Sequence, residues 1–164
     1  PAGGRAKKSA ARRTTEDDNA HQISKATVRL IEIQPSWTTE EFREAQRADP
    51  DLMPFIRAFE NQPKPTTNET ADWPRAARRL LADWERLKLV DGVLKRAWFD
   101  AQGRESHDQF VAPRKFVAEV LQQAHDNPLA GHMGEKRTLL RARETFFWVG
   151  MAADVRDWYR SCQT

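Results

Sequence analysis

Hydrophobic positions along the chain fall into short periodic runs, separated by prolines, glycines and acidic breaks. Phe42 and Ala45 follow Ser36-Trp37-Thr38-Thr39-Glu40-Glu41, which reads as a helix start: a threonine caps the first amides and acids meet the helix dipole. That helix runs to about Ala48, where Asp49-Pro50 breaks it. Leu52, Phe55, Ile56 and Phe59 form the stripe of a second short helix, Asp51 to Glu60, with Pro54 in its tolerant first turn. The polar, proline-bearing run 61–70 is a linker by composition. Trp73, Ala76, Ala77, Leu80, Leu81, Trp84 and Leu87 then predict a helix over 72–87.

The period changes next. Leu87-Lys88-Leu89-Val90, the dipeptide Asp91-Gly92 and Val93 to Phe99 read as a β-hairpin, because Asp-Gly between such runs suits a tight hairpin turn. Asp100 to Gly103 turns the chain again, and a third strand falls within His107–Ala112. Val28 to Ile33 is a further short strand candidate without an obvious partner.

After Pro113 the helical period returns. Phe116, Val117, Val120, Leu121 and Ala124 share a stripe that ends in His125, and Asp126-Asn127-Pro128 stops the helix. Leu129-Ala130-Gly131 turns the chain and presents His132. On the next helix Leu139, Leu140, Phe146 and Phe147 are expected to face inward, with Lys136, Arg137, Arg141 and Arg143 on the outer side. Met151, Val155, Trp158, Tyr159 and Cys162 again fall on one helical face. The expected fold is mainly α with a small antiparallel β meander, a disordered N-terminal tail and, at the C-terminus, a helical module that its histidines and cysteine mark as zinc-binding. Its segments are 1–35, disordered or linker; 36–86, short helices with a proline-rich linker; 87–112, the meander; and 113–164, the module.

Two histidines and the sole cysteine on inward faces form a zinc pattern short of one member. Structural zinc takes four tetrahedral N/S ligands, and the last two commonly come as Cys-x-x-Cys. Cys162-Gln163-Thr164 supplies one cysteine and both spacers, so a cysteine at the next position would finish the set. Together with a chain that begins at Pro1 rather than methionine, this reads as a piece of something longer. The plainer reading of a lone helical histidine is a core or surface residue, and His21 and His107, without partners at ligand spacing, are read that way. Phe146, Phe147, Trp148, Trp158 and Tyr159 are read as core rather than as a base-stacking platform. For the basic helix face, solvent is the default and phosphate contact the sharper alternative.

Composition adds limits. The chain of 164 residues is 31% charged and 39% hydrophobic, with a mean hydropathy of -0.80, polar enough that part of it is expected to stay unpacked. A net charge of +3 is compatible with nucleic acid. One cysteine excludes an internal disulfide framework and suggests a reducing compartment. No apolar run approaches the roughly 20 residues that span a bilayer, so no membrane partner is expected. Arg5, Lys7, Lys8, Arg12 and Arg13 read either as part of a solvated tail or as a nuclear-import or nucleic-acid-contacting patch. Localisation is accordingly expected to be nuclear, otherwise cytoplasmic.

His125 and His132 at their spacing, Gly134-x-Lys136-Arg137-Thr138, Phe147-Trp148-x-Gly150-Met151 and Val155-x-x-Trp158-x-x-Ser161-Cys162 together resemble the zinc-binding (HHCC) domain of retroelement integrases. The gypsy-type retrotransposon polyprotein is the nearest flavour. Val149 stands where many members of that family carry proline. The region from about Trp37 is similar, less specifically, to the linker that precedes integrase in such polyproteins. The resemblance implies zinc as cofactor, held by His125, His132 and Cys162. The resemblance also implies as partners the DNA of retroelement ends and further integrase protomers, for which Lys136, Arg137 and Arg141 of the basic helix face are the candidate DNA contacts. The three metal-binding carboxylates of an integrase would lie in a core beyond the module, so no catalytic residue is expected here. A domesticated host protein using the module for protein or nucleic-acid interaction is the alternative, and a plain helical domain without metal is a third.

Overall fold

Thr38 opens the first helix as its neighbours require. Its hydroxyl accepts from the Glu41 amide at 3.2 Å while the Glu41 carboxylate accepts from the Thr38 amide at 2.7 Å, a capping box that satisfies two orphan donors at once. The Thr38 amide, and then its hydroxyl, hold the Glu41 carboxyl below the ordinary glutamate value. The computed structural model describes residues 33, 35–61, 63–127, 131–132 and 134–162, with only the backbone at 127, 131 and 132. The chain divides into Pro1–Glu32 and Ile33–Thr164, and all described residues lie in the second unit. The expected N-terminal tail, its basic patch, His21 and most of the strand candidate at Val28 to Ile33 lie outside them.

Helix α1 spans Thr39–Ala48 and buries Phe42, Ala45 and Gln46. Helix α2, Met53–Glu60, buries Phe55 and Ile56 and carries Pro54 in its first turn. The helix expected over 72–87 is shorter and mixed: α3 covers Arg75–Leu80, and a 3₁₀ segment continues it over Leu81–Arg86. Tighter winding is common at helix ends. Here it leaves Trp84 buried beside Leu80 and hands the chain to a strand at Leu87.

Strands β1 (Leu87–Val90), β2 (Val93–Phe99) and β3 (Glu105–Val111) form the predicted antiparallel meander. Asp91 (φ 51°) and Gly92 (φ 75°) both take left-handed backbone, as a two-residue hairpin turn matched to strand twist demands. Arg43 of α1 lies across that turn, its Nε donating to the Asp91 carbonyl at 2.8 Å.

Helix α4 spans Arg114–His125. Short strands β4 (Asp126–Asn127) and β5 (Gly131–His132) follow it. Helix α5 is Glu135–Thr145, β6 is Phe146–Phe147 and α6 is Met151–Ser161. Strand β6 corrects the purely antiparallel expectation. It joins the meander in parallel, Phe110 opposite Phe146 and Val111 opposite Phe147, giving the order β1-β2-β3-β6 in a mixed sheet. The Ala112 amide extends the pairing by donating to the Phe147 carbonyl at 2.8 Å.

Both faces of this sheet are covered. Val93, Phe110 and Phe146 pack with Phe42, Phe116, Val120, Ala124, Ala142 and Val155 of α1, α4, α5 and α6. The alternate residues Leu94, Val111 and Phe147 pack with Leu52, Phe55, Ile56, Ala77, Leu80 and Trp84 of α2, α3 and the 3₁₀ segment. Strand alternation sends successive side chains to opposite faces, so β2, β3 and β6 each feed two cores. Polar side chains buried between layers tie them together. Gln46 donates to the carbonyls of Leu94 and Val111 and accepts from the Leu94 amide. Gln109 donates to the carbonyls of Arg143 and Phe146 at the end of α5 and accepts from Arg96. Arg96, whose guanidinium burial pushes below its ordinary value against the pull of Asp83, lies 4.2 Å from the centroid of the Phe147 ring.

Two inward assignments need correction. Leu140 is 62% exposed and Tyr159 is 44% exposed, whereas Trp158 packs partly buried against the core as expected. Helix α5 packs against α4 and α6 through Thr138, Leu139 and Ala142, and that face leaves Leu140 outside.

Candidate metal centre and basic helix face

His125 is the last residue of α4 and is 1% exposed. The sequence buries it because it continues the stripe of Phe116, Val120, Leu121 and Ala124, all of which are buried. Its ring meets two neighbours. Nδ1 lies 3.3 Å from Oγ1 of Thr138 in α5, and the Tyr159 ring of α6 stands edge-on with centroids 6.1 Å apart. The histidine therefore sits where α4, α5 and α6 converge.

Backbone pairing brings the second histidine to the same end of α4. Asp126 pairs with His132 and Asn127 with Gly131 across the β4–β5 hairpin, so the His132 backbone stands opposite the residue that follows His125. Cys162 caps the end of α6 with extended backbone and is half-buried, one turn beyond Tyr159. Among the described residues no three His, Cys, Asp or Glu side chains are grouped to hold a metal; the His132 side chain lies outside them. The residue types fit zinc all the same. A buried imidazole with its Nδ1 side engaged, a second histidine beside it in the backbone and a thiol at a neighbouring helix end supply N and S donors of the kind structural zinc takes.

Sequence reasoning missed Thr138, which is fully buried in α5 and supplies the hydroxyl beside His125. It lies within the stretch Gly134-x-Lys136-Arg137-Thr138. A threonine three residues ahead of Arg141 and four ahead of Ala142 on an amphipathic helix was the available signal. His107 is exposed, with Nδ1 at 3.3 Å from the Ser106 hydroxyl, as a surface residue.

The basic face divides. Lys136 and Arg137 are exposed on the first turns of α5, flanking the exposed Leu140, whereas Arg141 is half-buried rather than fully on the outer side.

Residues 112–164 match the integrase zinc binding domain family. The resemblance carried by the His, Gly-x-Lys-Arg-Thr and Trp-x-x-Ser-Cys motifs is borne out over this last third of the chain, which matches an integrase zinc-binding family and is similar to proteins named for a gypsy retrotransposon integrase. Its relatives include Gypsy retrotransposon integrase-like protein 1 of Bos taurus, 34% identical over 56 residues that cover 32% of this chain and 11% of that protein. The protein of the same name in Rattus norvegicus is 24% identical over 109 residues, 66% of this chain and 19% of its own length. An uncharacterized protein of Caenorhabditis elegans is 26% identical over 128 residues, 76% of this chain and 8% of its own length. The chain thus spans a fifth or less of each of these relatives. No solved structure matches it.

Proposed function

We propose that this chain is part of a gypsy-type retrotransposon integrase polyprotein. Residues 113–164 hold a structural zinc ion and support integrase multimerisation and DNA binding during integration, in the nucleus. The observation that carries this reading is the buried His125 at the junction of α4, α5 and α6, inside the span matched by the zinc-binding family. His125, His132 and Cys162 are the ligands, and the fourth comes from outside these three. Zinc, when bound, would add a cross-link between α4, the β4–β5 hairpin and α6 to the packing that already joins the helices. The role of the chain is binding; strand transfer belongs to a separate core.

Metal content tests the reading, measured on the chain as it stands and on the chain with one cysteine appended after Thr164. The appended form is expected to bind one zinc ion per chain, in the range of about 10–16 kcal/mol typical of structural zinc in finger peptides. His125→Ala should abolish that binding. Retention of no zinc by either form would overturn the proposal.

The DNA contacts are tested separately. Replacing Lys136, Arg137 and Arg141 with Ala should weaken duplex binding of any sequence. Each lost phosphate contact removes about 0.9 unit of log-log salt slope. With Arg141 half-buried, Lys136 and Arg137 are the expected contacts, so the slope should fall by about two units. An unchanged slope would assign this face to protein or solvent.

A second reading has one observation in its favour. Two of the relatives are cattle and rat proteins whose names read integrase-like, which suits a host protein that keeps the module for protein or nucleic-acid interaction without integration.

A further inference from the structure

We infer that Thr138 is the positioning residue that selects Nε2 of His125 as the metal-binding nitrogen; this rests on the zinc reading above. Thr138 Oγ1 lies 3.2 Å from the Gly134 carbonyl and 3.3 Å from Nδ1 of His125. The carbonyl brings no proton, and the hydroxyl brings one. If Nδ1 were bare, that single proton would serve one of the two acceptors, and the oxygen's lone pairs would face the other across a buried contact. Both contacts are favourable only when the hydroxyl donates to Gly134 and Nδ1–H donates to Oγ1. In the neutral ring a proton on Nδ1 makes Nε2 the lone-pair nitrogen, because the bond made by one ring nitrogen sets the chemistry of the other.

The helix makes this arrangement rigid. The Gly134 carbonyl also accepts from the Thr138 amide at 3.0 Å, so the hydroxyl is locked to its own helix turn. Thr138 itself is fully buried and β-branched, with few rotamers to choose from. The Tyr159 ring, edge-on to the imidazole, limits its tilt from the α6 side. A ligand histidine is commonly oriented by an acceptor at its second nitrogen, and losing such a partner typically lowers metal affinity about 10–100-fold.

Two measurements on the full chain test the assignment. Long-range proton–nitrogen NMR correlations of the metal-free chain are expected to show His125 protonated at Nδ1; on adding zinc, Nε2 should be the nitrogen that shifts. Zinc affinity by chelator competition should fall about 10–100-fold in Thr138→Val and return in Thr138→Ser, with the metal-free thermal midpoint of each variant recorded beside it. The serine rescue marks the hydroxyl, since packing alone would favour valine. An Nε2-protonated ring in the metal-free chain, ligation through Nδ1, or equal affinity in Thr138→Val and the parent would overturn the inference. If the parent binds no zinc, the zinc reading fails, and the tautomer spectrum still decides the role of Thr138.

Discussion

The two ends of helix α4 are built on opposite plans. At its start, the polypeptide upstream supplies the partners. The Arg114 amide donates to the Asp49 carboxylate at 2.6 Å, the Ser36 amide donates to Glu119 at 3.0 Å, and Trp37 stacks on Phe116 with centroids 4.2 Å apart. Asp49 is buried, and its other oxygen accepts from the Asp51 amide at 2.8 Å, so one carboxylate organises the entries to α2 and α4 together. At the far end there is a buried imidazole, a hydroxyl and an aromatic edge. The first end is a joint made of chain; the second gathers the polar and aromatic side chains of three helices around one imidazole. A segment that no motif singles out therefore anchors the helix that carries the module's first histidine.

That contrast can be broken from the stronger side first. Phe116→Ala empties a side chain 8% exposed that stacks on both Trp37 and Phe42. It should cost about 3–5 kcal/mol and lower the thermal midpoint of the whole described body, including upstream helices, as hydrogen exchange would show. Loss confined to residues beyond 112 would mean the two segments do not share a core. Asp49→Ala comes next. It leaves two backbone donors without their charged acceptor, an expected loss of about 1–3 kcal/mol, while zinc content stays unchanged. Zinc loss at a temperature where the variant remains folded would refute the separation between the two ends. The smallest effect concerns pH. Glu41 titrates below its ordinary value because Thr38 donates to its carboxylate. The capping contribution is thus present above the unfolded-state value and is lost as pH falls through the lower, folded-state one. Glu41→Gln should flatten that acid limb, and an acid limb identical in the two proteins would mean the box adds nothing.

Local signals were legible because they depend on a few neighbouring residues. The Thr38 cap, the Asp91-Gly92 turn, the three meander strands and the helix ending at His125 all follow from short patterns. The sheet's central place was not legible. Val93-Leu94 and Phe146-Phe147 are adjacent apolar pairs, and periodicity cannot tell that each residue of a pair serves a different face. Nor does a two-residue strand announce that its partner lies before α4. Tyr159 and Leu140 were misplaced because helical spacing names a stripe but not its width; α6 ends near His125 with one side of Tyr159 in solvent. At the site, the residue types and chain positions of His125, His132 and Cys162 were readable. The Thr138 contact was not, because it joins two helices through an angle that spacing does not encode.

Strand β6 has a consequence for anyone who trims this protein. The family match begins at residue 112, immediately after β3, whose Phe110 and Val111 pair with Phe146 and Phe147. A piece cut at that boundary keeps β6 and discards the strand beside it. Two phenylalanines, with only the Phe147 carbonyl still bonded to the Ala112 amide, would then line an open apolar edge, the kind of template on which chains add to one another. Such a piece would carry every ligand candidate and still tend to precipitate. The pairing of β3 with β6, and not the ligand set alone, therefore bears on where this module can be divided.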